Sequence, residues 1–234
     1  MDSDHEQARR DLIADLSHDL RAPLVAMRGC LELLVLRGAS LSGEERRHYA
    51  EIALRQSERL ASLVDELFEL STLDFKGAAI ERESFALGEL ASDVMQKFAV
   101  GAAQRRIGLG VEVAAGVPAV EADLRLIERV FDNLIVNALR HTPDGGTVEI
   151  RVALASQGVR VEVADTGSGI PAAELPFVFD RHFRGAAARR DDPRGNGLGL
   201  TIARRIVELH GGVLRAESEP MRGTRFLFEL PVRA

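Results

Sequence analysis

The stretch RVFDNLIVNALRHT, from Arg129 to Thr142, has the spacing of an amphipathic α-helix. One face is apolar and carries Ile127, Phe131, Leu134 and Ala138. A second face is polar and carries Asn133, Asn137, Arg140 and His141. Asparagine on a helix is most often surface decoration, but it is also a mediocre helix former. Amide oxygens suit magnesium, which usually bridges protein and phosphate oxygens, so this face is a candidate site for a magnesium-bound triphosphate.

A strand-like run follows this helix and ends in a carboxylate and two glycines. It reads VEVADTGSGI, from Val161 to Ile170, with Asp165 at its end and Gly167 and Gly169 just beyond. Many turns after strands contain Asp and Gly for structural reasons alone. A carboxylate at this place is also able to accept a hydrogen bond from an adenine amino group, while glycines let the backbone approach the base.

The third motif, GNGLGL from Gly195 to Leu200, leads into another apolar helical pattern. Glycines at a helix start expose free N–H groups at the positive end of the dipole, which is a phosphate site. The motif is not a P-loop, because no Lys and Ser/Thr pair follows. It is not a dinucleotide fingerprint either, because Leu200 takes the third glycine position.

The N-terminal region has a different period and predicts two long helices. An apolar seam of alternating three- and four-residue steps consists of Ile13, Leu16, Leu20, Leu24, Met27, Leu31 and Leu34. The seam breaks at residues 37–40, and Ser42 with Glu45 then predicts a capping box. In the second helix the seam continues through Leu60, Val64, Leu67 and Leu70. A lone helical hairpin cannot bury this seam, so we predict a homodimer that forms a four-helix bundle.

His18 falls on the outward face of the first helix, beside Asp19 and one turn before Pro23. An outward histidine is normally only a solvated side chain. A proline inside a helix costs about 3 kcal/mol, which indicates a local geometric requirement. The carboxylate is able to hold one imidazole N–H and accept its proton, which leaves the other nitrogen free to attack.

Composition excludes several classes of protein. Hydrophobic residues make up 46% and charged residues 28%, and the net charge of -6 gives no general affinity for nucleic acid. The single cysteine, Cys30, excludes an internal disulfide framework and fits a reducing compartment. Six scattered histidines predict no zinc site. We expect a cytoplasmic protein, joined to a membrane only through segments absent from this chain.

Taken in order, the motifs resemble those of sensor histidine kinases. LSHDLRAPL, from Leu16 to Leu24, is similar to the phosphoacceptor box of that family. The motifs similar to its ATP-binding domain are the Asn133/Asn137 pair, DTGSG, FVFDRHFRG (177–185), GNGLGL and GTRFLFELP (223–231). The resemblance implies an all-α helical hairpin over residues 4–74, for dimerisation and histidine phosphotransfer. It implies an α+β two-layer sandwich of the GHKL/Bergerat ATPase type over residues 80–234.

The same resemblance assigns roles to individual residues. His18 is expected to be phosphorylated, with Asp19 as general base and with Mg²⁺ bound by Asn137. Asp165 would read adenine, with Gly169 beneath the base. The predicted nucleotide-binding residues are Asn133, Asn137, Arg140, His141, Asp165, Gly167, Gly169, Gly197, Leu198, Gly199 and Thr224. Phe179 and Phe183 would anchor the ends of a flexible lid from about Pro171 to Gly195.

The implied activity is that of an ATP-dependent protein-histidine kinase, which passes a phosphoryl group from His18 to an aspartate on the receiver domain of a response regulator. This regulator is expected to dock on the bundle near Arg28 and Leu67. Many family members carry Thr or Asn four residues after the histidine, where it positions a water for dephosphorylation. Ala22 occupies that position here, and its methyl group cannot hold a water. This weighs against phosphatase activity and leaves kinase activity untouched.

Two other functions compete with the kinase. The first is an ATP-hydrolysing clamp of the same fold, whose members carry a Glu four residues before the magnesium Asn. Asn133 stands there in this chain and cannot act as a general base. The second is a scaffold that only dimerises and binds a regulator. Against it, every residue type expected in the nucleotide site is present.

Overall fold

The computed structural model describes residues 2–74, 80–156, 158–181, 183–185 and 197–232, with side chains from residue 20 onward. The chain forms two compact units, Met1–Phe68 and Glu69–Ala234. Glu69 belongs to the second unit, where its carboxylate accepts hydrogen bonds from the Arg129 guanidinium at 2.9 and 3.1 Å. The domain bounds 4–74 and 80–234 remain a prediction.

The helical hairpin predicted for the N-terminal region is confirmed. Helix α1 spans Asp2–Arg37 and continues through Pro23, and α2 spans Gly43–Asp74. The capping box is also present, because the Ser42 N–H donates to Glu45 Oε2 at 2.8 Å and the Glu45 N–H donates to Ser42 Oγ at 3.1 Å. Two otherwise unpaired N–H groups at the start of α2 are thereby satisfied. None of the helices in the described ranges combines the length and apolarity that a membrane span requires.

The apolar surface of the hairpin is only partly buried within one chain. Ala53 and Leu63 are buried, whereas the neighbouring Val64 is 45% exposed. In this part of α2 the buried residue is therefore Leu63, one position before Val64 of the predicted seam. Other large apolar side chains that remain exposed on the two helices are Leu24, Val25, Leu31, Leu33, Val35, Leu36, Leu54 and Phe68. A single copy thus leaves much apolar surface in contact with water.

The second unit is built on a five-stranded mixed sheet with the order β2-β4-β5-β7-β6. The strands are β2 (Gly108–Val113), β4 (Thr147–Ala155), β5 (Gly158–Asp165), β6 (Leu214–Ser218) and β7 (Thr224–Pro231). β2 runs parallel to β4, and the other neighbours are antiparallel. Two shorter strands, β1 (Glu83–Phe85) and β3 (Val120–Ala122), form a separate antiparallel pair. Burial alternates along β4, β5 and β7, as expected when one face of a sheet is covered.

Helices form the second layer. They are α3 (Leu87–Lys97), α4 (Ala99–Gln104), α5 (Leu124–His141) and α6 (Gly199–Leu209). Helix α5 packs against α3, α6 and the sheet, and its Phe131 ring meets Phe228 of β7 edge to face, with centroids 6.0 Å apart. The predicted α+β two-layer sandwich is confirmed.

Bounds predicted from local pattern are nearly those observed, but two strands of the large sheet were missed. Local apolar patterns in the sequence predict helices over about Leu87–Gln104 and Leu124–His141, and strands over Val148–Leu154, Val159–Ala164 and Thr224–Leu230. Helix α5 and strands β4, β5 and β7 lie within one residue of these bounds. The helix predicted from Leu87 to Gln104 is instead two helices, separated at Phe98. The glycine-rich β2 and the polar edge strand β6 were not predicted. Both lack a hairpin signal to a preceding strand, because β2 pairs with a strand far along the chain and β6 begins after a helix.

Candidate functional site

Helix α5 is fixed at both ends, which sets the position of its polar face. At its start, Asp123 Oδ1 accepts the Leu126 N–H at 3.1 Å. At its end, Thr142 Oγ1 donates to the Ala138 carbonyl at 2.7 Å. The four residues predicted for the apolar face are all buried. Asn133 and Asn137, which stand on the other face, are half-buried.

Asn133 brings the first and third motifs together. A Cβ atom added to Gly199 would lie 3.1 Å from Asn133 Oδ1, so the start of α6 packs closely against this amide. The Nδ2 atom of Asn133 is buried and finds no hydrogen-bond partner among the described residues. An unsatisfied buried donor costs about 1–3 kcal/mol, and a bound ligand is one way to satisfy it. This arrangement fits a polar ligand between α5 and α6.

Asp165 ends strand β5 and is only 7% exposed. Its Oδ1 atom accepts the Gly167 N–H at 2.7 Å and the Thr224 N–H at 3.3 Å. Burial raises the pKa of Asp165, and these two hydrogen bonds act in the opposite direction. Both bonds end on the same oxygen, so Oδ2 is the atom that would meet a ligand donor.

The DTGSG loop has no room for side chains at its glycines. A Cβ atom on Gly167 would lie 2.5 Å from the His141 carbonyl oxygen. Gly169 has a φ of +67°, and a Cβ there would lie 2.0 Å from the Glu219 carbonyl oxygen. The Ser168 N–H also donates to the His141 carbonyl at 3.3 Å. The loop is therefore held against the C-terminal end of α5, where Arg140 and His141 lie.

Thr224 belongs to a small hydroxyl network that the sequence did not reveal. Its Oγ1 lies 3.0 Å from Ser218 Oγ, which also accepts the Ile170 N–H at 2.8 Å. Ser218 and Thr224 are paired residues of β6 and β7. Ser218 thus links Thr224, which pairs with Asp165 in the sheet, to Ile170 in the loop after β5. The prediction missed Ser218 because strand β6 itself was missed.

Within the described part of the chain, no side chain caps the first N–H groups of α6. Leu198, which is fully buried, takes the cap position without a side-chain hydrogen bond to the helix, and Gly197 before it has a φ of +71°. Helix N-termini of this kind favour anions. Gly195, Asn196 and residues 186–194 of the predicted lid lie outside the described residues, as does His182.

Phe179 is held firmly at the base of the predicted lid. Its carbonyl oxygen accepts the Thr201 hydroxyl at 3.0 Å, and its ring meets Phe226 edge to face at 6.2 Å between centroids. The Arg204 guanidinium carbon lies 5.8 Å from the centre of the same ring. Phe183 contacts Phe177, with centroids 6.1 Å apart. Both phenylalanines predicted as anchors therefore have packed partners.

The phosphoacceptor motif lies in the other unit. His18 and Asp19 are in helix α1, but their side chains lie outside the described residues. Ala22, one turn later, is exposed. The structure brings together the motifs around α5, β5, α6 and β7, and the roles assigned to all these residues remain predictions.

Comparison with known proteins matches both regions to described families. Residues 8–76 match the His Kinase A (phospho-acceptor) domain. Residues 122–234 match the histidine kinase-, DNA gyrase B- and HSP90-like ATPase domain. The chain is 35% identical over 234 residues to the sensor histidine kinase WalK of Bacillus subtilis, covering 97% of this chain and 37% of WalK. It spans only about a quarter to two fifths of the length of the curated relatives it matches.

Solved structures give the same picture. The catalytic domain of histidine kinase ThkA is 32% identical, with 64% of this chain and 95% of that one covered and a TM-score of 0.58. ThkA in complex with the response regulator protein TrrA has a TM-score of 0.80 at 27% identity, over 99% of this chain and 64% of that one. Full-length ShkA in complex with AMPPNP has a TM-score of 0.69 at 25% identity, over 96% and 46%.

Proposed function

The chain belongs to the sensor histidine kinases of two-component systems, and we propose that it uses ATP to phosphorylate its own His18. The observation that carries this proposal is the one-sided hydrogen bonding of buried Asp165, which reserves Oδ2 for a ligand donor. Adenine supplies such a donor through its amino group. Similarity over 97% of the chain to a kinase that includes the phosphoacceptor region supports the same function.

We assign the adenine ring to the loop at Gly169 and the phosphates to the start of α6. Asp165 Oδ2 accepts from the adenine amino group, and the backbone at Gly169 comes close to the base because no side chain intervenes. The first N–H groups of α6 donate to phosphate oxygens. Arg140 adds positive charge at the end of α5, and His141 lies next to it in the sequence. The nucleotide analogue bound in ShkA supports ATP binding by this chain.

The asparagine face is proposed to hold the magnesium that accompanies ATP. The residues fit this ion, because Asn133 and Asn137 offer amide oxygens. The buried Nδ2 of Asn133, which has no partner among the described residues, is a donor and therefore suits a phosphate oxygen beside the ion. When bound, the ion neutralises phosphate charge. Asn133 cannot activate a water as a glutamate would, so the γ-phosphoryl group is preserved for a protein nucleophile.

In the proposed reaction Asp19 removes one ring proton from His18, and the other ring nitrogen attacks the γ-phosphorus of ATP. A P–N bond forms as the bond from the γ-phosphorus to the bridging oxygen breaks, and ADP leaves with the electron pair. Such transfers depend mainly on positioning and charge neutralisation. The phosphoramidate then supplies the phosphoryl group to an aspartate of a response regulator.

We propose that the active form is a homodimer through the hairpin. The apolar side chains left exposed on α1 and α2, with Val35 at 82% and Leu36 at 81%, support a partner helix pair. The match to the His Kinase A domain supports the same conclusion. We expect the assembly to work in the cytoplasm, where ATP is available.

Replacement of His18 by Gln is expected to abolish autophosphorylation. Incubation with γ-labelled ATP should give an acid-labile, base-stable label on the wild-type protein and none on His18→Gln, because glutamine offers no nucleophilic nitrogen. Equal binding of ATP by both proteins is the control. An ATP-hydrolysing clamp would release free phosphate with little labelled protein, and a scaffold would do neither. Label that persists in His18→Gln would refute His18 as the acceptor.

Regulator docking is proposed near Arg28 and Leu67. Arg28 is highly exposed and makes an (i, i+4) ion pair with Glu32 at 3.3 Å, so its removal should cost little stability. Arg28→Ala is expected to slow phosphotransfer about tenfold, since a lost charge contact at an interface costs about 1–2 kcal/mol. Autophosphorylation should not change.

The transfer is measured with the receiver domain that phosphotransfer profiling of the host's set identifies. Arg160→Ala is a matched control, because Arg160 is also exposed and ion-paired, to Glu229 on the sheet. Unchanged transfer in Arg28→Ala, or an equal loss in both variants, would remove Arg28 from the docking surface.

A further inference from the structure

His210 follows α6 directly and is almost completely buried, at 2% exposure. Its Nδ1 atom lies 2.8 Å from the Ile206 carbonyl oxygen, and its Nε2 atom accepts the Asp123 N–H at 3.0 Å. A backbone carbonyl only accepts and a backbone N–H only donates. The two partners therefore fix the neutral ring with its hydrogen on Nδ1. No motif in the sequence analysis assigned a role to this histidine.

Asp123, the partner of Nε2, is the cap residue of α5. Its Oδ1 accepts the Leu126 N–H and its Oδ2 accepts the Glu81 N–H, both at 3.1 Å. The ring of His210 therefore joins the C-terminal end of α6 directly to the N-terminal end of α5. This backbone-to-ring bond is independent of the Asp123 carboxylate.

The two helices also meet at a second point, where Gly199 packs against Asn133. Asp123 and Asn133 are about three helical turns apart on α5, and Gly199 and His210 are about three turns apart on α6. The helices are thus antiparallel and pinned at two matched positions. A slide or rotation of α6 along α5 would have to break the His210 bond.

We propose that His210 is a positioning residue for the nucleotide site, which as a neutral ring fixes α6 against α5 and so places the start of α6 beside Asn133. This inference rests on the proposed function, because the start of α6 is the assigned phosphate position. His210 itself touches neither Asn133 nor Gly199 in this role. It acts through the register of two helices.

The bond pattern makes this role sensitive to pH. Burial lowers the pKa of His210, and the nearby Arg82 charge lowers it further, while the Ile206 carbonyl and the Asp123 carboxylate act in the opposite direction. The unfolded chain therefore binds the proton more readily than the folded one. The stabilisation is present above the ordinary value of 6.5 and is lost as the pH falls through the lower folded value. A protonated ring would place Nε2–H against the Asp123 N–H, two donors facing each other.

Two substitutions separate the two bonds. The amide of His210→Asn reaches only the Nδ1 position and keeps a donor for the Ile206 carbonyl. The amide oxygen of His210→Gln reaches the Nε2 position and accepts from the Asp123 N–H. We expect His210→Asn to weaken ATP binding about tenfold, because the Asp123 N–H loses its partner and the start of α6 is no longer held beside Asn133. His210→Gln should keep wild-type affinity.

The readout is the equilibrium Kd for ATP on the full chain, measured between pH 5 and 8 alongside thermal melting. The wild-type Kd should rise more steeply at low pH than that of His210→Gln, which has no ring to protonate. All other titratable groups, including Asp165, are common to both proteins, so the ratio of the two Kd values isolates His210. Equal Kd values and parallel pH profiles for all three proteins would overturn the inference. If His210→Asn does not fold, the comparison of wild type with His210→Gln decides alone.

A wild-type chain that binds no ATP would overturn both the inference and the proposed function. ATP binding with His210 variants unchanged would overturn the inference alone.

Discussion

Asp165→Asn is expected to weaken ATP binding about 100-fold and, at the same time, to raise the melting temperature. The loss arises because the hydrogen bond from adenine to a buried carboxylate is replaced by an amide nitrogen facing the adenine amino group. Hydrogen bonds to charged groups contribute about 1.5–3 kcal/mol, and two donors facing each other add a penalty, which together give this order of magnitude. If the side-chain oxygen of Asn takes the place of Oδ1, the bonds from Gly167 and Thr224 survive.

The gain in stability follows from the direction of the pKa shift. Burial raises the pKa of Asp165 above 3.8, so the folded protein binds this proton more tightly than the unfolded chain. The free energy of unfolding therefore falls as the pH rises from 3.8 through the folded value. At neutral pH the buried, ionised carboxylate lowers the free energy of unfolding, and the neutral amide of Asn removes this cost of burying a charge. The difference in melting temperature between variant and wild type should shrink as the pH is lowered through this window.

Calorimetric ATP titration and melting curves at several pH values measure both effects. Asp144→Asn is the matched control, because Asp144 is an exposed carboxylate that pairs with Arg105 at 3.2 Å. Asp144→Asn should leave ATP affinity unchanged. Because the ion pair that it removes is exposed, the free energy of unfolding should change by no more than about 1 kcal/mol. An unchanged ATP affinity in Asp165→Asn would contradict the assignment of adenine to this carboxylate. A lower melting temperature with no pH dependence would contradict the account of its burial.

Local pattern predicted the parts of the site that single elements provide. The amphipathic spacing gave α5 its bounds, and the Asp at the end of β5 and the glycines of α6 were recognised from their immediate neighbours. The helix cap at Ser42 was likewise a local signal, since both of its hydrogen bonds lie within four residues. These features are determined by residues within one or two turns of each other, so the local sequence is enough to predict them.

Features that depend on distant partners were not predicted. Ser218 acquires its role through the bond from the Ile170 N–H, far earlier in the chain, and His210 through contact with the cap of α5. A single histidine forms no motif with its sequence neighbours from which these contacts could be predicted. On the hairpin, exposed Val64 and buried Leu63 differ by one helical position, because the period alone does not say which neighbour faces inward.

Gly169→Ala is expected to reduce the autophosphorylation rate about 100-fold, a loss of the size that follows from displacing reacting groups by about 1 Å. Two effects act on this residue. Its φ of +67° strains any L-residue, and an added Cβ would lie 2.0 Å from the Glu219 carbonyl oxygen and 3.0 Å from Pro220 Cα. Both obstacles are backbone, so no side-chain rotation relieves the clash. The loop assigned to the adenine must move instead.

Gly116→Ala separates strain from clash, because Gly116 has a φ of +78° and no atom within 4 Å of the added Cβ. It lies in the segment between β2 and β3, away from the assigned nucleotide contacts. We expect this control to lose about 1–2 kcal/mol of stability through strain alone and to keep its kinase rate. The rate is measured as initial incorporation of label from γ-labelled ATP at saturating and subsaturating concentrations, with melting curves for both variants. Similar losses of rate in the two variants would show that backbone strain, and not the fit of the loop around the base, limits the reaction. A folded Gly169→Ala protein with wild-type rate would show that the nucleotide does not depend on this loop.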